Sequence, residues 1–373
     1  MGTKVEQELI GVDLFAGAGG LSLGFEKAGF KIIYALERDK YAAETYRRNR
    51  NSNATVDVVD ILEIQPEGIL HKLGLSAGDL DIILSGPPCQ GFSIANMRTR
   101  HKDNPANRLV YRFYDFVRQL RPRWFVMENV GGLENFINGR VKEELLELFK
   151  QAGYDAEALV LNASYFGVPQ VRKRIFFVGN CVDRSLDFLH KLASQRATSS
   201  VTVREAIDDL PVLSNGNLVD LMPYSKSTKC ASEFENTMRA GNNTQVFNNL
   251  VSRNNALVLE RYKYIEQGEN WRALALRKPG LLYNYGDLTK CHEWIYFRLH
   301  WDKPSVVISN YRKNMLIHPE QDRGLSVREA ARLQSFPDDY IFYGPLGYQQ
   351  QQVANAVPPL VARYLANAIR DLS

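Results

Sequence analysis

Residues Val12–Phe25 read VDLFAGAGGLSLGF, and three glycines, Gly17, Gly19 and Gly20, stand there between an apolar run and a helical pattern. Glycines at a strand-to-helix turn let the backbone take positive φ and approach a ligand closely. Outward from this turn the same alternation continues. Candidate strands are LIGVDLF (9–15), KIIYALE (31–37), TVDVVDI (55–61), DIILSG (81–86), RWFVMEN (123–129) and RIFFVG (174–179). Between them LSLGFEKAG, RLVYRFYDFVRQL and KEELLELFKQAG carry apolar residues at helical spacing. Strand and helix in alternation predict an α/β chain with a Rossmann-like, doubly wound and mostly parallel sheet.

From about residue 185 to 320 the texture changes. RATSSVT and SNGN read as connectors, and GNNTQVFNNLVSRNN has little periodicity. Helical patterns return in LSVREAARLQSF and PPLVARYLANAIRDL. The expected organisation is a first catalytic part over 1–184, a smaller irregular domain over 185–320, and a return to the first domain over 321–373. TVREAIDDLP (202–211) echoes SVREAARLQSFP (326–337), which a pair of helix-capping boxes explains better than an internal repeat.

The 373 residues are 45% hydrophobic and 24% charged, with a net charge of +4, so a large core is expected and a polyanionic partner is permitted without being required. Four cysteines, Cys89, Cys181, Cys230 and Cys291, are scattered without a CxxC pair, which argues against a zinc site or a disulfide framework and for a reducing cytosol. The N-terminal residues lack a signal-peptide pattern, and no apolar run reaches the length of a membrane span.

Glu37 ends the second strand, 20 residues after Gly17, where a carboxylate can accept bonds from ribose hydroxyls. Asp60 closes the third and could meet an adenine amino group. Ser22 stands where a GxGxxG motif would have its last glycine, so the loop suits an adenosine ligand without phosphates, such as S-adenosylmethionine. A turn that serves strand–helix packing alone is the alternative.

Cys89 follows the strand DIIL inside SGPPCQGFS. Pro87 and Pro88 stiffen this loop, while Gly86 and Gly91 leave room for something flat. A lone intracellular cysteine is usually a small buried hydrophobe, yet core packing needs neither bracket. Glu128 and Asn129 end the apolar strand WFVMENV at the equivalent sheet edge, where a desolvated carboxylate suits proton donation and a helix cap is the alternative. In PQVRKRIFFVG, Gln170, Arg172 and Arg174 would share one strand face and suit carbonyl or phosphate recognition, against the plainer reading of a basic edge strand.

Taken in order, DLFAGAGGLSLGF, ALERD, DVVDI, GPPCQGFS, ENVGGL, YFGVPQVRKR, RGLSVREAARLQSFPD and VANAVPPLVA resemble the DNA cytosine-5 methyltransferases of bacterial restriction-modification systems. The resemblance covers roughly 230 residues and leaves mainly 185–320 outside, the region of target recognition. It implies that Cys89 attacks C6 of a flipped-out cytosine, that Glu128 engages N3, and that Arg172 and Arg174 hold the base carbonyl and the catalytic assembly. It further implies S-adenosylmethionine as cofactor, with S-adenosylhomocysteine as product, in a pocket that includes Phe15, Ala16, Leu21, Arg38, Ile61, Pro87, Leu109, Asn355 and Val357. Gln90, Ser93, Arg98, Arg100 and Arg108 resemble residues of a loop that closes on DNA. Tyr283, Tyr285, Tyr296 and Arg298 are candidate DNA contacts in the recognition region. Where the family usually has glycine before the asparagine of its last motif, this chain has Ala354.

The resemblance makes double-stranded DNA the expected partner, a cognate restriction endonuclease the usual companion, the bacterial cytosol the compartment, and a monomer the state. Three rivals differ in class. A tRNA methyltransferase of the same fold is countered by QGFS and the long 185–320 region. An inactive nucleic-acid-binding scaffold is countered by the presence of both Cys89 and Glu128. A cysteine hydrolase would want a histidine partner, and none of the six histidines lies in a triad motif.

Overall fold

The computed structural model describes residues 8–50, 54–88, 108–194, 200–227, 231–239, 244–288, 291–309, 311 and 316–372. By contact the chain divides into two compact units, one of residues 1–166, 173–196 and 357–373 and one of 167–172 and 197–356. This contact division is drawn differently from the functional boundaries expected at 184 and 320, since it keeps residues 321–356 with the second unit.

The first unit contains β1 (Leu9–Leu14), β2 (Phe30–Leu36), β3 (Thr55–Asp57), β4 (Ile82–Ser85), β5 (Trp124–Val130), β6 (Asp155–Asn162) and β7 (Lys173–Asn180). They form one seven-stranded sheet in the order β3-β2-β1-β4-β5-β7-β6. Neighbours from β3 to β5 pair in parallel, and β7 runs antiparallel to both β5 and β6. The mostly parallel α/β sheet expected from the alternation is therefore present. Its inner strands are almost continuously apolar and buried, as strands covered on both faces must be.

Helices α1 (Gly20–Lys27), α2 (Lys40–Arg48), α3 (Pro66–Leu73), α4 (Arg108–Leu120), α5 (Arg140–Gln151) and α6 (Asp187–Ser194) belong to this unit, with a C-terminal helix over Pro359–Arg370. On α4, Val110, Phe113, Phe116, Val117 and Leu120 form the buried stripe that the spacing predicts, in one core with Phe125 and Phe149. Against α1 the C-terminal helix packs without a spacer. A Cβ on Gly24 would fall 2.3 Å from Ala362 Cβ and 2.6 Å from the Pro359 carbonyl oxygen, so glycine is needed there for close approach.

The second unit holds α7 (Val203–Ile207), α8 (Glu233–Arg239), α9 (Ala256–Tyr262), α10 (Trp271–Arg277), α11 (Val327–Leu333) and α12 (Leu346–Asn355) with short strand pairs. Thr202–Glu205 and Ser326–Glu329 are both reciprocal capping boxes, which is the expected origin of the echo. Its interior is unusually ionic. Arg332 makes paired 2.6 Å hydrogen bonds to Asp338 and also reaches Asp209, which accepts from Arg239 Nε at 2.7 Å. Each of these buried charges is partnered, the condition under which burial of an ion is tolerated.

Candidate active site

The strand order reverses between β1 and β4, and open α/β sheets bind ligands beyond the carboxyl ends of their strands at such a point. The chain places its glycine turn after β1 and the PPC loop after β4, one on each side of the reversal.

In the glycine turn, Phe15, Gly17 and Gly19 all have positive φ, at 59°, 55° and 86°. Ala16 N–H donates to Leu36 O at 3.0 Å, which ties the turn to β2. Glu37 closes the link from the other side, because its Oε2 accepts from Gly17 N–H at 2.8 Å and its Oε1 from Asp39 N–H at 2.7 Å. The two residues singled out by their spacing are thus direct partners. Burial pushes the Glu37 carboxyl above its ordinary value, and the Asp39 and Gly17 N–H groups pull the other way. Arg38 Nη1 lies 3.0 Å from Asp60 Oδ2. The Leu62 N–H, foremost, and Arg38 hold the Asp60 carboxyl below the usual range. Ala16, Leu21, Ile61 and Pro87 are buried, and Leu109 is half-buried at the start of α4.

Cys89, Gln90, Ser93, Arg98 and Arg100 lie outside the described residues, and Arg108 is exposed at the first position of α4. The frame around the PPC loop is described. Asn129 Nδ2 donates to Pro87 O at 3.3 Å, joining the end of β5 to the loop after β4. Glu128 is buried, and its Oε1 lies 3.0 Å from Arg174 Nε, across the β5–β7 pairing that sets Val130 opposite Arg174. Three adjacent strands thereby collect the loop that leads to Cys89, a carboxylate and a guanidinium. Such a set can hold a proton and an oxygen-bearing planar group at the same place.

The shared strand face of Gln170, Arg172 and Arg174 does not form. β7 begins at Lys173, so Gln170 and Arg172 precede it and spend their donors within the protein. Gln170 donates to Leu333 O and Gln334 Oε1, each at 3.0 Å. Arg172 donates to Ile308 O, Ala354 O and Ala356 O at 3.1 to 3.4 Å. Arg172 therefore grips the two carbonyls that flank Asn355, the exposed last residue of α12, while Val357 is buried. Among the candidate DNA contacts, Tyr296 and Arg298 are core residues. Tyr296 is 1% exposed, and Arg298 bonds the carbonyls of Ile265, Tyr262 and His318. Tyr283, by contrast, is 76% exposed.

Sequence reasoning missed a buried network beneath the glycine turn. Asp13 Oδ2 accepts from Ser22 Oγ at 2.5 Å, and Ser22 Oγ lies 2.9 Å from the Tyr46 hydroxyl. Burial raises the Asp13 carboxyl to about 7. The DLF spelling shows an acid after an apolar run, but its partners are scattered over α1 and α2 and leave no local signal.

The seven-stranded sheet and its order give an α/β fold of the kind that DNA methyltransferase structures share. The model of the C-5 cytosine-specific DNA methylases matches residues 9–371. The chain is 35% identical over 365 residues to the Type II methyltransferase M1.HphI of Haemophilus parahaemolyticus, covering 97% of this chain and 87% of that one. It is 35% identical over 375 residues to M.DdeI of Desulfomicrobium norvegicum, covering 96% and 88%. Among solved structures, a DNA modification methyltransferase encoded within an E. coli prophage superposes with a TM-score of 0.76 at 26% identity, covering 98% of this chain and 99% of that one. S. pombe Dnmt2, at 13% identity and a TM-score of 0.61 over 98% of this chain and 100% of its own, shares the fold. The chain belongs to the C-5 cytosine-specific DNA methylase family and is a DNA cytosine-5 methyltransferase. Among the described residues no helix is long and apolar enough to cross a membrane.

Proposed function

We propose that the protein methylates C5 of one cytosine within a short duplex sequence, through a covalent bond between Cys89 and C6 of a flipped-out base. The observation that carries this reading is the Glu128–Arg174 pair, held at 3.0 Å beside the strand whose loop continues to Cys89.

Cytosine C5 is a weak nucleophile, and addition at C6 makes it enamine-like. The Cys89 thiolate forms the S–C6 bond while the displaced π pair moves toward C5 and N3, where Glu128 supplies a proton or hydrogen bond. Arg174 keeps Glu128 oriented and has donors suited to the base carbonyl. Arg172 is a positioning residue, since its grip on Ala354 O and Ala356 O fixes the backbone around Asn355. Once C5 carries the methyl, its hydrogen leaves as a proton, the C5=C6 bond re-forms, and the S–C6 bond breaks to free Cys89. The base edge cannot be reached inside a stacked duplex, so the target leaves the helix first.

The glycine turn fits an adenosine-type cofactor. Glu37 is a ready acceptor fixed by two backbone N–H groups, and a Cβ at Gly17 would meet nothing within 4 Å. Glu37 would take ribose hydroxyls, Asp60 and Ile61 the adenine edge, and Phe15, Ala16, Gly17, Gly19, Gly20, Leu21, Arg38, Pro87, Leu109, Asn355 and Val357 the remaining walls. S-adenosylmethionine, when bound, supplies an electrophilic methyl and leaves as S-adenosylhomocysteine.

Residues 1–184 and 321–373 then serve catalysis, with Gln90, Ser93, Arg98, Arg100 and Arg108 on the DNA, and 185–320 reads the target. Modification of this kind protects host DNA from a cognate endonuclease in the bacterial cytosol, and a monomer suffices. Purified protein, S-adenosylmethionine and unmethylated genomic DNA should give 5-methylcytosine confined to one short motif, and Cys89→Ala should abolish it. Methyl transfer to tRNA alone, or a fully active Cys89→Ala variant, would overturn the reading.

A further inference from the structure

Arg50 lies outside every motif that carries the family resemblance, just past α2 in the charged stretch YRRNRN, where a solvated surface cation is the ordinary expectation. The structure does something else with it. Its side chain is only 2% exposed. Nη2 donates to Gly19 O at 2.8 Å, Nη1 pairs with Glu26 on α1, and the guanidinium sits 4.0 Å from the centroid of the Tyr46 ring. Tyr46 is in turn bonded to Ser22, and Ser22 to Asp13.

One of these contacts reaches the turn itself, at the Gly19 carbonyl, which also accepts the first helical bond from Leu23 N–H at 2.9 Å. Gly19 is the left-handed N-cap of α1, with no side chain to cap the helix, and its carbonyl belongs to the turn whose backbone N–H at Gly17 meets Glu37. A glycine-rich turn is the segment most expensive to order, because glycine loses the most conformational freedom. A desolvated guanidinium on its carbonyl, braced by a carboxylate and an aromatic face, holds that order before any ligand arrives. Preorganisation of a binding loop improves affinity by removing the cost of ordering it on binding.

We propose that Arg50 is a positioning residue for the cofactor turn, acting through the Gly19 carbonyl on the affinity for S-adenosylmethionine and S-adenosylhomocysteine. The inference rests on the cofactor reading above. It makes Arg50 neither a DNA contact nor a catalytic residue. Glu26 is part of the same device, since without it the guanidinium keeps the carbonyl but loses the brace that aims it.

The test compares wild type, Arg50→Met, and a core control of similar stability loss remote from the turn, Val141→Ala on α5. Calorimetric titration with S-adenosylhomocysteine is read beside thermal unfolding and the affinity for a cofactor-free DNA duplex. Arg50→Met should weaken S-adenosylhomocysteine about tenfold or more, the equivalent of one charge-assisted hydrogen bond. Val141→Ala should bind it normally, and DNA affinity should be unchanged in both. Cofactor affinity within twofold of wild type, or falling equally in Val141→Ala, overturns the proposal. If Arg50→Met does not fold, Glu26→Gln must still weaken binding by about threefold for the proposal to stand. If wild type itself does not bind S-adenosylhomocysteine, the cofactor reading fails first, which is a different result from a variant that binds as wild type does.

Discussion

Asp13 gives the sharpest test of the buried network, because its consequence has a sign, a window and a size. Burial holds its carboxyl at about 7 in the folded protein, against 3.8 for the exposed group, with Ser22 and Arg50 opposing the rise and Glu26 and Glu37 adding to it. Between those values the folded state keeps a proton that the unfolded state has released, so stability falls as pH rises through the window. At about 1.4 kcal/mol per pH unit, the loss approaches about 4 kcal/mol between pH 4 and pH 7 and is constant above that. Asp13→Asn is the neutral isostere and can keep a hydrogen bond to Ser22 Oγ, so it removes the titration with little other change. The variant should match wild type near pH 4 and gain on it steadily, ending more stable by up to about 4 kcal/mol at pH 8. Urea unfolding of both proteins at pH 4.5, 5.5, 6.5 and 7.5 reads the difference directly. Parallel stability curves across that range would refute the buried, protonated Asp13 and with it the closed network under the turn.

Other expectations follow from single contacts. Gly24→Ala should cost about 1–3 kcal/mol in thermal unfolding, since its methyl would meet the backbone of the C-terminal helix. Glu128→Gln should lower kcat by about a hundredfold to ten-thousandfold while leaving the affinity for S-adenosylhomocysteine unchanged, as removal of a proton donor does. Ala354→Gly should cost about 1 kcal/mol of stability, the usual penalty for glycine in a helix, and should not improve cofactor affinity measured by calorimetry.

What was legible in the sequence was what the sheet imposes locally. β1, β2, β4, β5 and β7 could be read as apolar runs because inner strands are covered on both faces, and α4 because its stripe repeats at helical spacing. β6 went unread. DAEALVLN lies at the sheet edge, is only partly buried, and is spelled with alanine, glutamate and leucine, which also suit a helix. TVDVVDI was read too long, since only Thr55–Asp57 pairs with β2 before the chain leaves the edge. Within the site, the spacing of Gly17 and Glu37 carried real information, because both end neighbouring parallel strands and their distance along the chain is one β–α–β step. Gln170 and Arg172 misled because alternation was extended beyond the strand's start at Lys173.

The partners of Arg50 and Arg172 were hidden for one physical reason. Each binds backbone carbonyls, and a carbonyl acceptor has no residue type, so nothing in the spelling of a partner marks it. Irregular backbone and helix C-termini leave carbonyls that no ladder satisfies, and a carbonyl already in a helix keeps a second lone pair. A guanidinium, with five donors in a fixed fork, can collect several of them at once where a lysine could not. Arg172 does so for Ile308, Ala354 and Ala356, whereas Arg50 adds a second donor to the one carbonyl of Gly19, which already accepts from Leu23 N–H at 2.9 Å, while Glu26 braces it. Burying such a cation is costly unless all of this geometry is met. Each arginine therefore ties down the backbone it grips, Arg50 at the glycine turn and Arg172 around Asn355.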